Sequence, residues 1–526
     1  VTTNTAITVW GDEAGIEMID GVAFRMYAQR PHRVSEILTL ADRWGSRVHL
    51  IQGDRKVTFA ELTTSVENKA KYLTARGIGR GHRVLLLGWN SPDWIVNFWA
   101  CTLVGAVPAL ANAWWSAGEV SDAISLLDPA IVLADVSGTR KLPAEAITGE
   151  WAAAGVEDSD DSALGRDLVS TVSENDPAVI IFTSGTGGAP KAVELSNRSL
   201  VANLQMLLNM THRLPHEVTD DAGEVVLHTG PLFHVGGPQM LMRSVAVGNT
   251  IVLPAGRFDP AEALDLIELH QISRWAAVPT MVTRLLDHPD IPTRDVGSLR
   301  SVTIGGAPVH PELLDQISRT LPAVRTGVPT GYGLTENCGQ ATAASGRETV
   351  KHPGTAGRPL PLAELKFVPV EGMPDAEILV RSPTQMTRYV GTDESPIDDE
   401  GWLHTGDLGR LDDGGRLWIT GRSKDLIIRG GENIAPAAVE RALTGIPGVT
   451  EAAVVGVPHA DLGEEVFAFV VISDLTLTAE NLRARLSGSL ASFAVPTHWS
   501  VSQDPLPTNH TGKVDKPALA RRAADR

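Results

Sequence analysis

An α/β fold, with large and partly parallel sheets followed by a small second domain, is predicted from three observations. Short continuous apolar runs, such as Val84-Leu85-Leu86-Leu87 and Ala178-Val179-Ile180-Ile181-Phe182, read as strands buried on both faces. Between such runs lie amphipathic stretches that open on helix-start signals. After Gly421 the alternation begins again over about a hundred residues, a length that suits an independent domain.

The elements follow in chain order. Val84–Leu87 ends at Gly88. Trp94 to Gly118 carries no charge and exceeds the roughly 20 residues of a membrane span. Gly105 and Pro108 split it, and Asn97 and Asn112 interrupt it, so a buried helix and then a strand are predicted; irregular backbone facing lipid is not tolerated. Asp259-Pro260-Ala261-Glu262 supplies an N-cap, a proline at N1 and a glutamate at N3, with Leu264, Ile267 and Leu269 as apolar positions. Trp275–Val278, Ser301–Ile304 and Leu417–Thr420 read as strands. Beyond Gly421-Arg422-Ser423-Lys424-Asp425 come Leu426–Ile428, a helix from Pro436 carrying Val439 and Leu443, and strands at Ala452–Val457 and Val466–Ile472.

Composition narrows the function classes. The chain has 526 residues, 43% hydrophobic and 21% charged, which excludes disordered and collagen-like proteins. Lys and Arg number 45 against 63 Asp and Glu, a net charge of −18. That balance opposes non-specific adhesion to nucleic acid or an anionic membrane, so neither nucleic acid nor an integral membrane span is expected. Two cysteines, Cys101 and Cys338, make no disulfide framework. Together with an opening VTTNTAITVWGDEAG that lacks a basic region and an apolar core, they point to a cytoplasmic location.

The sharpest motif is Thr183-Ser184-Gly185-Thr186-Gly187-Gly188-Ala189-Pro190-Lys191. Glycines let backbone amides approach an anion, three hydroxyls donate to it, and Lys191 adds positive charge. A Walker A loop leads into a helix, whereas Ala192-Val193-Glu194-Leu195 reads as a strand. The motif is therefore a phosphate-handling loop between two strands. A plain Gly/Ser/Thr surface loop has similar composition.

This stretch resembles the signature loop of the adenylate-forming superfamily, which includes acyl-CoA synthetases, peptide-synthetase adenylation domains and luciferases. The resemblance implies that the loop holds the β- and γ-phosphates of ATP. The usual form has Thr at Gly187 and Gly at Ala192. Four further stretches match in the family's order. In Gly331-Tyr332-Gly333-Leu334-Thr335-Glu336 the resemblance implies that Tyr332 stacks on adenine, Thr335 bonds the α-phosphate and Glu336 ligates Mg²⁺. Mg²⁺ takes few protein carboxylates alongside phosphate oxygens. Gly305-Gly306-Ala307-Pro308 is similar to the adenine-side turn. In Trp402-Leu403-His404-Thr405-Gly406-Asp407, Asp407 would accept from the ribose hydroxyls, and Arg422 would reach the ribose too. Lys513, in Pro505-Leu506-Pro507-Thr508-Asn509-His510-Thr511-Gly512-Lys513, matches the family's catalytic lysine.

The resemblance also implies an architecture: a large N-terminal domain of stacked α/β sheets, residues 1–421, and a small mobile α+β lid, residues 422–526, turning about a hinge near Lys424. Gly430-Gly431 would face the CoA tunnel. Arg429 and Lys516 are expected to be solvated. Relatives often carry Lys at Ala494.

The acid is read from Gly230-Pro231-Leu232-Phe233-His234-Val235-Gly236-Gly237-Pro238. Amino-acid-activating members place Asp shortly after this Phe to hold an ammonium. His234 stands there instead, and a buried ammonium without a carboxylate is costly. The Phe-His pair resembles the acyl- and aryl-CoA ligase version, which implies that His234 lines or gates an acyl pocket with Val235, Gly236, Gly237 and Gly305; Met240 and Met242 read as plain core. The resemblance implies an ATP-, Mg²⁺- and CoA-dependent synthetase for a fatty or aryl carboxylic acid, with a part in fatty acid and lipid metabolism, and leaves a homodimer open. A ligase loading a carrier protein and a non-catalytic acyl or nucleotide sensor are the alternatives.

Overall fold

The computed structural model describes residues 10–152, 172–183, 190–221, 223–305, 309, 311–324, 327–373, 375–488, 490–509 and 513–524. Two large sheets dominate the first four hundred residues. The first has seven strands in the order Arg388–Tyr389, Lys191–Ser196, Pro177–Thr183, Val107–Ala111, Arg83–Leu87, Ile131–Ala134 and Thr148–Gly149. The last five of these run parallel. The second has six, Ser301–Ile304, Arg274–Ala277, Val225–His228, Thr250–Val252, Val48–Gln52 and Arg55–Thr58, parallel except for the final pair.

The uncharged stretch from Trp94 resolves as expected into the helix Pro92–Leu103 and the strand Val107–Ala111. Ser91 caps the helix by accepting from the Trp94 N–H, and Gly105, at φ +74°, turns the chain back. Pro108 is tolerated inside a sheet because it sits near the strand's start: Val107 N–H bonds the His82 carbonyl, and pairing with Pro177–Thr183 begins only at Ala109. Among the described residues no helix is long and apolar enough to cross a membrane. Asp259 caps Pro260–His270 through the Ala261 N–H, as its sequence predicts.

Both sheets share one core. Leu50 and Ile251 from the six-stranded sheet pack in the same cluster as Leu86, Leu110 and Ile181 from the seven-stranded one. Phe59, Phe98, Leu204 and Leu241 join them from the helices Phe59–Thr74, Pro92–Leu103, Asn197–Met210 and Gly236–Val247. Met242 is fully buried there, the core position its sequence suggests, and Met240 packs against it. Cys101 and Cys338 are both buried and unpaired.

A four-stranded antiparallel sheet follows, Glu364–Pro369, Ala376–Arg381, Leu403–Leu411 and Leu417–Arg422, ending at Arg422. The last sheet is built from Glu432–Ile434, Ile427–Arg429, Gly463–Ile472 and Val449–His459, with His498–Ser502 beside Gly463–Ile472. Alternate residues of Val449–His459 face two small cores: Val454 packs with Leu443 and Leu482, whereas Val455 packs with Leu519. These cores draw only on residues from Ile427 onward.

Candidate active site

In open α/β sheets the crevice at the carboxyl ends of parallel strands is where ligands bind. Thr183, Gly230 and Gly305 all follow such ends. Thr183 and Lys191 face each other as register partners in an antiparallel pair, so the phosphate-type motif joins two strands rather than strand and helix. Ser184, Gly185, Thr186, Gly187 and Gly188 lie outside the described residues, as do Gly306 and Ala307.

Lys191 emerges from that hairpin with its Nζ 4.6 Å from the Tyr389 ring centroid and 3.7 Å from Glu394 Oε2. Tyr389 comes from the edge strand paired with Lys191–Ser196, where Glu194, nearly buried, holds Arg388 at 2.9 Å. The Tyr389 hydroxyl donates to Glu336 Oε1 at 2.8 Å. Burial first, and the Glu336 charge second, push the phenol well above its ordinary pKa, so it remains a donor.

Glu336 and Thr335 start a 3₁₀ turn, Thr335–Asn337, after the strand Thr330–Leu334. Gly331 and Gly333 lie tight against the partner strand Gly339–Ala344. Gln239, from the helix after His234, donates to the Cys338 carbonyl and, at 2.8 Å, to Asn203. That ties the histidine-bearing segment to the Thr335–Glu336 turn. Among the described residues no group of three or more His, Cys, Asp or Glu is arranged to hold a metal ion. A dedicated protein cage is thus not built there; a single half-buried carboxylate such as Glu336 fits Mg²⁺, which keeps most of its ligands as phosphate oxygens and water.

Asp407 and Arg422 are register partners on neighbouring strands, Leu403–Leu411 and Leu417–Arg422. Arg422 Nε donates to Asp407 Oδ1 at 2.6 Å, and Tyr332 donates its hydroxyl to Oδ2, also at 2.6 Å. The Asp407 side chain is 5% exposed while Arg422 is 51% exposed. Two of roughly four lone-pair sites on the carboxylate are used, which leaves room for a diol. Tyr332 is only 7% exposed and packs with Ile378, Val380 and Leu417. The ring face expected to meet a base is therefore mostly covered, and what the structure gives Tyr332 is a grip on Asp407.

Lys513 lies within electrostatic range of this cluster, since Arg422 and Asp407 both act on its ammonium. Its backbone N–H donates to Asn509 Oδ1 at 3.1 Å, and the Lys513 carbonyl accepts from the Asn509 N–H at 2.7 Å, closing its loop. Surrounding protein strips water from the ammonium and Arg422 repels it, with Asp407 partly offsetting both, so its pKa is lowered. Solvent still reaches the side chain. His510, Thr511 and Gly512 lie outside the described residues.

His234 ends the segment before the helix Gly236–Val247, with its ring 4.9 Å from that of Phe233. The two following glycines differ. Gly236 is exposed with open space where a Cβ would stand, as has Gly305. Gly237 is buried against Leu232 O, and a Cβ there would strike that carbonyl, so it serves packing rather than pocket volume.

Gly430 and Gly431 form the two-residue turn between Ile427–Arg429 and Glu432–Ile434, at φ +59° and +87°. Backbone geometry alone calls for glycine there; Gly431 also faces open space. Lys424 sits exposed in the turn Ser423–Asp425. The two cations expected to be solvated are both paired, Lys516 while still about a third exposed. Arg429 donates to the Phe493 carbonyl at 2.8 Å and lies 3.5 Å from Glu465, and Lys516 pairs with Glu440 at 2.7 Å. Tyr389 and Gln239 carry no motif of their own in the sequence; each is brought in by pairing or packing of segments far apart along the chain.

Comparison with known proteins gives the family. The model of the AMP-binding enzyme family matches residues 39–390, and that of the AMP-binding enzyme C-terminal domain matches residues 438–513. Indoleacetate–CoA ligase of Aromatoleum aromaticum is 33% identical over 492 residues, covering 88% of this chain and 92% of the relative. The long-chain-fatty-acid–CoA ligase FadD13 of Mycobacterium tuberculosis is 29% identical, covering 89% and 93%. Among solved structures, o-succinylbenzoate CoA synthetase of Bacillus subtilis, in complex with its acyl-adenylate intermediate, superposes with a TM-score of 0.76 at 28% identity, covering 92% of this chain and 97% of that one. The chain belongs to the AMP-binding enzyme family, in its acyl- and aryl-CoA ligase branch.

Proposed function

We propose that this protein is an ATP-dependent acyl-CoA synthetase that activates a fatty or aryl carboxylic acid as acyl-AMP and passes it to CoA. The observation that carries the reading is the buried Asp407 carboxylate held by Tyr332 and Arg422, with Lys513, on the C-terminal loop, within electrostatic range of that pair. An ammonium presented by a separate small domain suits a step that needs it briefly.

In the first half-reaction the substrate carboxylate attacks the α-phosphorus of ATP, the bond to the β-phosphate oxygen breaks, and pyrophosphate leaves. Asp407 accepts from the ribose hydroxyls. Lys191, steered by the Tyr389 ring, offsets charge on the β- and γ-phosphates together with the loop Thr183 to Gly188. Thr335 donates to the α-phosphate. Lys513 sets its point charge against the α-phosphate and the attacking carboxylate, where negative charge is concentrated in the transition state. Bound at Glu336, Mg²⁺ supplies Lewis-acid stabilisation of phosphate charge. Gly305, Gly331 and Gly333 bring backbone close to the nucleotide.

In the second half-reaction the CoA thiol attacks the acyl carbonyl and AMP leaves, with its phosphate taking the bonding electron pair. Rotation of residues 422–526 about Lys424 withdraws Lys513 and brings the Gly430-Gly431 turn toward the site, so that one cleft receives two linings in turn. His234, Val235 and Gly236 line the acyl side. The absence of a carboxylate at 234 argues against an amino acid substrate.

A panel of aliphatic and aromatic carboxylic acids, assayed for AMP and for CoA thioester, tests the reading. AMP and thioester in equal amounts with at least one acid is the expected result. Thioester only on a carrier-protein pantetheine would replace CoA as acceptor. No AMP with any acid would leave a sensor.

A further inference from the structure

Two hydrogen bonds from Asn90, backed by two from Gln52, hold the segment that carries His234. Gln52 ends the strand Val48–Gln52 of the six-stranded sheet. Its side-chain amide donates to Pro254 O at 2.9 Å and to Asn90 O at 2.9 Å, just beyond the end of Arg83–Leu87 in the other sheet. Asn90 in turn grips the next segment with both ends of its amide: Nδ2 donates to Gly230 O at 2.7 Å, and Oδ1 accepts from Leu232 N–H at 2.8 Å. The segment then closes on itself. His234 N–H bonds Pro231 O at 3.3 Å, and Gly237 seats against Leu232 O.

We propose that Asn90, braced by Gln52, is a positioning residue that sets the Gly230–His234 segment at the seam of the two sheets and thereby determines how the carboxylic acid is held. A loop whose backbone is fixed at two points by one amide cannot shift without breaking both bonds together. Trp275 Nε1, donating to Thr229 Oγ1 at 3.0 Å, pins only the residue before it. The inference rests on the acyl-pocket reading of His234.

The test compares KM for the best acid with KM for ATP in AMP formation, with melting temperature as the control for folding. Asn90→Ala should raise KM for the acid roughly tenfold, which is about 1.4 kcal/mol of binding, and change KM for ATP less than twofold. Gln52→Glu, which cannot donate to both carbonyls, should act in the same direction and more weakly. Because the effect passes through the segment, the changes caused by Asn90→Ala and His234→Ala should be non-additive in the double variant. Equal changes in both KM values, additive effects where His234→Ala itself raises KM for the acid, or no effect of either Asn90→Ala or Gln52→Glu would overturn the proposal. If Asn90→Ala failed to fold, Gln52→Glu would decide alone on the same split. A silent His234→Ala beside an acid-selective Asn90→Ala would instead overturn the role of His234 and uphold the positioning of its segment.

Discussion

Tyr389 donates its hydroxyl to Glu336 Oε1 at 2.8 Å while its ring carries the Lys191 ammonium 4.6 Å from the centroid. One aromatic side chain thus contacts both a cation and an anion of the candidate site. A direct Lys191–Glu336 pair would cancel the two charges that phosphate and metal need. The edge strand Arg388–Tyr389 is short, and its pairing with Lys191–Ser196 is fastened by Arg388 and Thr387 on Glu194, with Thr387 Oγ1 3.0 Å from Glu194 Oε1.

Tyr389→Phe removes the hydrogen bond and keeps the ring. Glu336 then loses its fixed orientation, and the Mg²⁺ concentration needed for half-maximal AMP formation should rise several-fold with little change in KM for the acid. Tyr389→Ala should add a rise in KM for ATP, because Lys191 loses its platform. Initial rates against Mg²⁺ and ATP distinguish the two variants.

Asp407→Asn should cost more than the ribose contact. Its amide oxygen can accept from Arg422 while its N–H donates to the Tyr332 oxygen, but the carboxylate charge that strengthens both contacts is lost. KM for ATP should rise about tenfold or more, as for loss of a charge-assisted bond, and the melting temperature should fall. Arg422→Lys keeps the charge and loses the planar fork, so a smaller rise without a large thermal shift is expected. Steady-state kinetics and calorimetry measure both.

Local chemistry was legible wherever a short segment determines it. The strand Ser301–Ile304, the Asp259 cap and the helix–strand reading of the Trp94 stretch all follow from patterns within a dozen residues. Asp407 and Arg422 could be named from motifs, but their 2.6 Å contact depends on the register of two strands that bulge between Leu408 and Gly409. Tyr389 was invisible because strand pairing across almost two hundred positions brings it to Lys191. Gly237 and Gly430 stand out as glycines in the sequence, but the carbonyl contact of the one and the left-handed turn of the other depend on backbone geometry that a motif does not show.

Two buried histidines predict acid sensitivity. His49 and His228 each have a pKa lowered from 6.5 to about 4 by burial; for His49 the Nδ1 hydrogen bond to the Asn249 carbonyl at 2.9 Å only partly opposes this. The folded state therefore takes up these protons later than the unfolded chain. Stability is full above pH 6.5 and is lost as pH falls toward 4, by up to about 3 kcal/mol for each group. Urea midpoints between pH 7 and 4 should fall steeply for the native protein, and less for the double variant His49→Gln, His228→Leu.

Lys513 gives the sharpest prediction because its position and its titration point the same way. If its ammonium serves only acyl-AMP formation, Lys513→Ala should lower acid-dependent pyrophosphate release by roughly 10²–10³, the scale of removing one preorganised charge contact. Conversion of supplied acyl-AMP to thioester should persist. Equal loss in both assays would remove Lys513 from its role. Desolvation, with Arg422 adding repulsion, lowers the lysine pKa, so the protonated fraction falls at a lower pH than for an ordinary lysine. Pyrophosphate release should therefore decline on the alkaline side below the usual lysine range, while thioester formation from acyl-AMP shows no such limb. In Arg422→Gln the repelling charge is gone, Asp407 faces Lys513 with one fewer partner, and the alkaline limb should move upward; a limb that stays in place would mean that another group titrates.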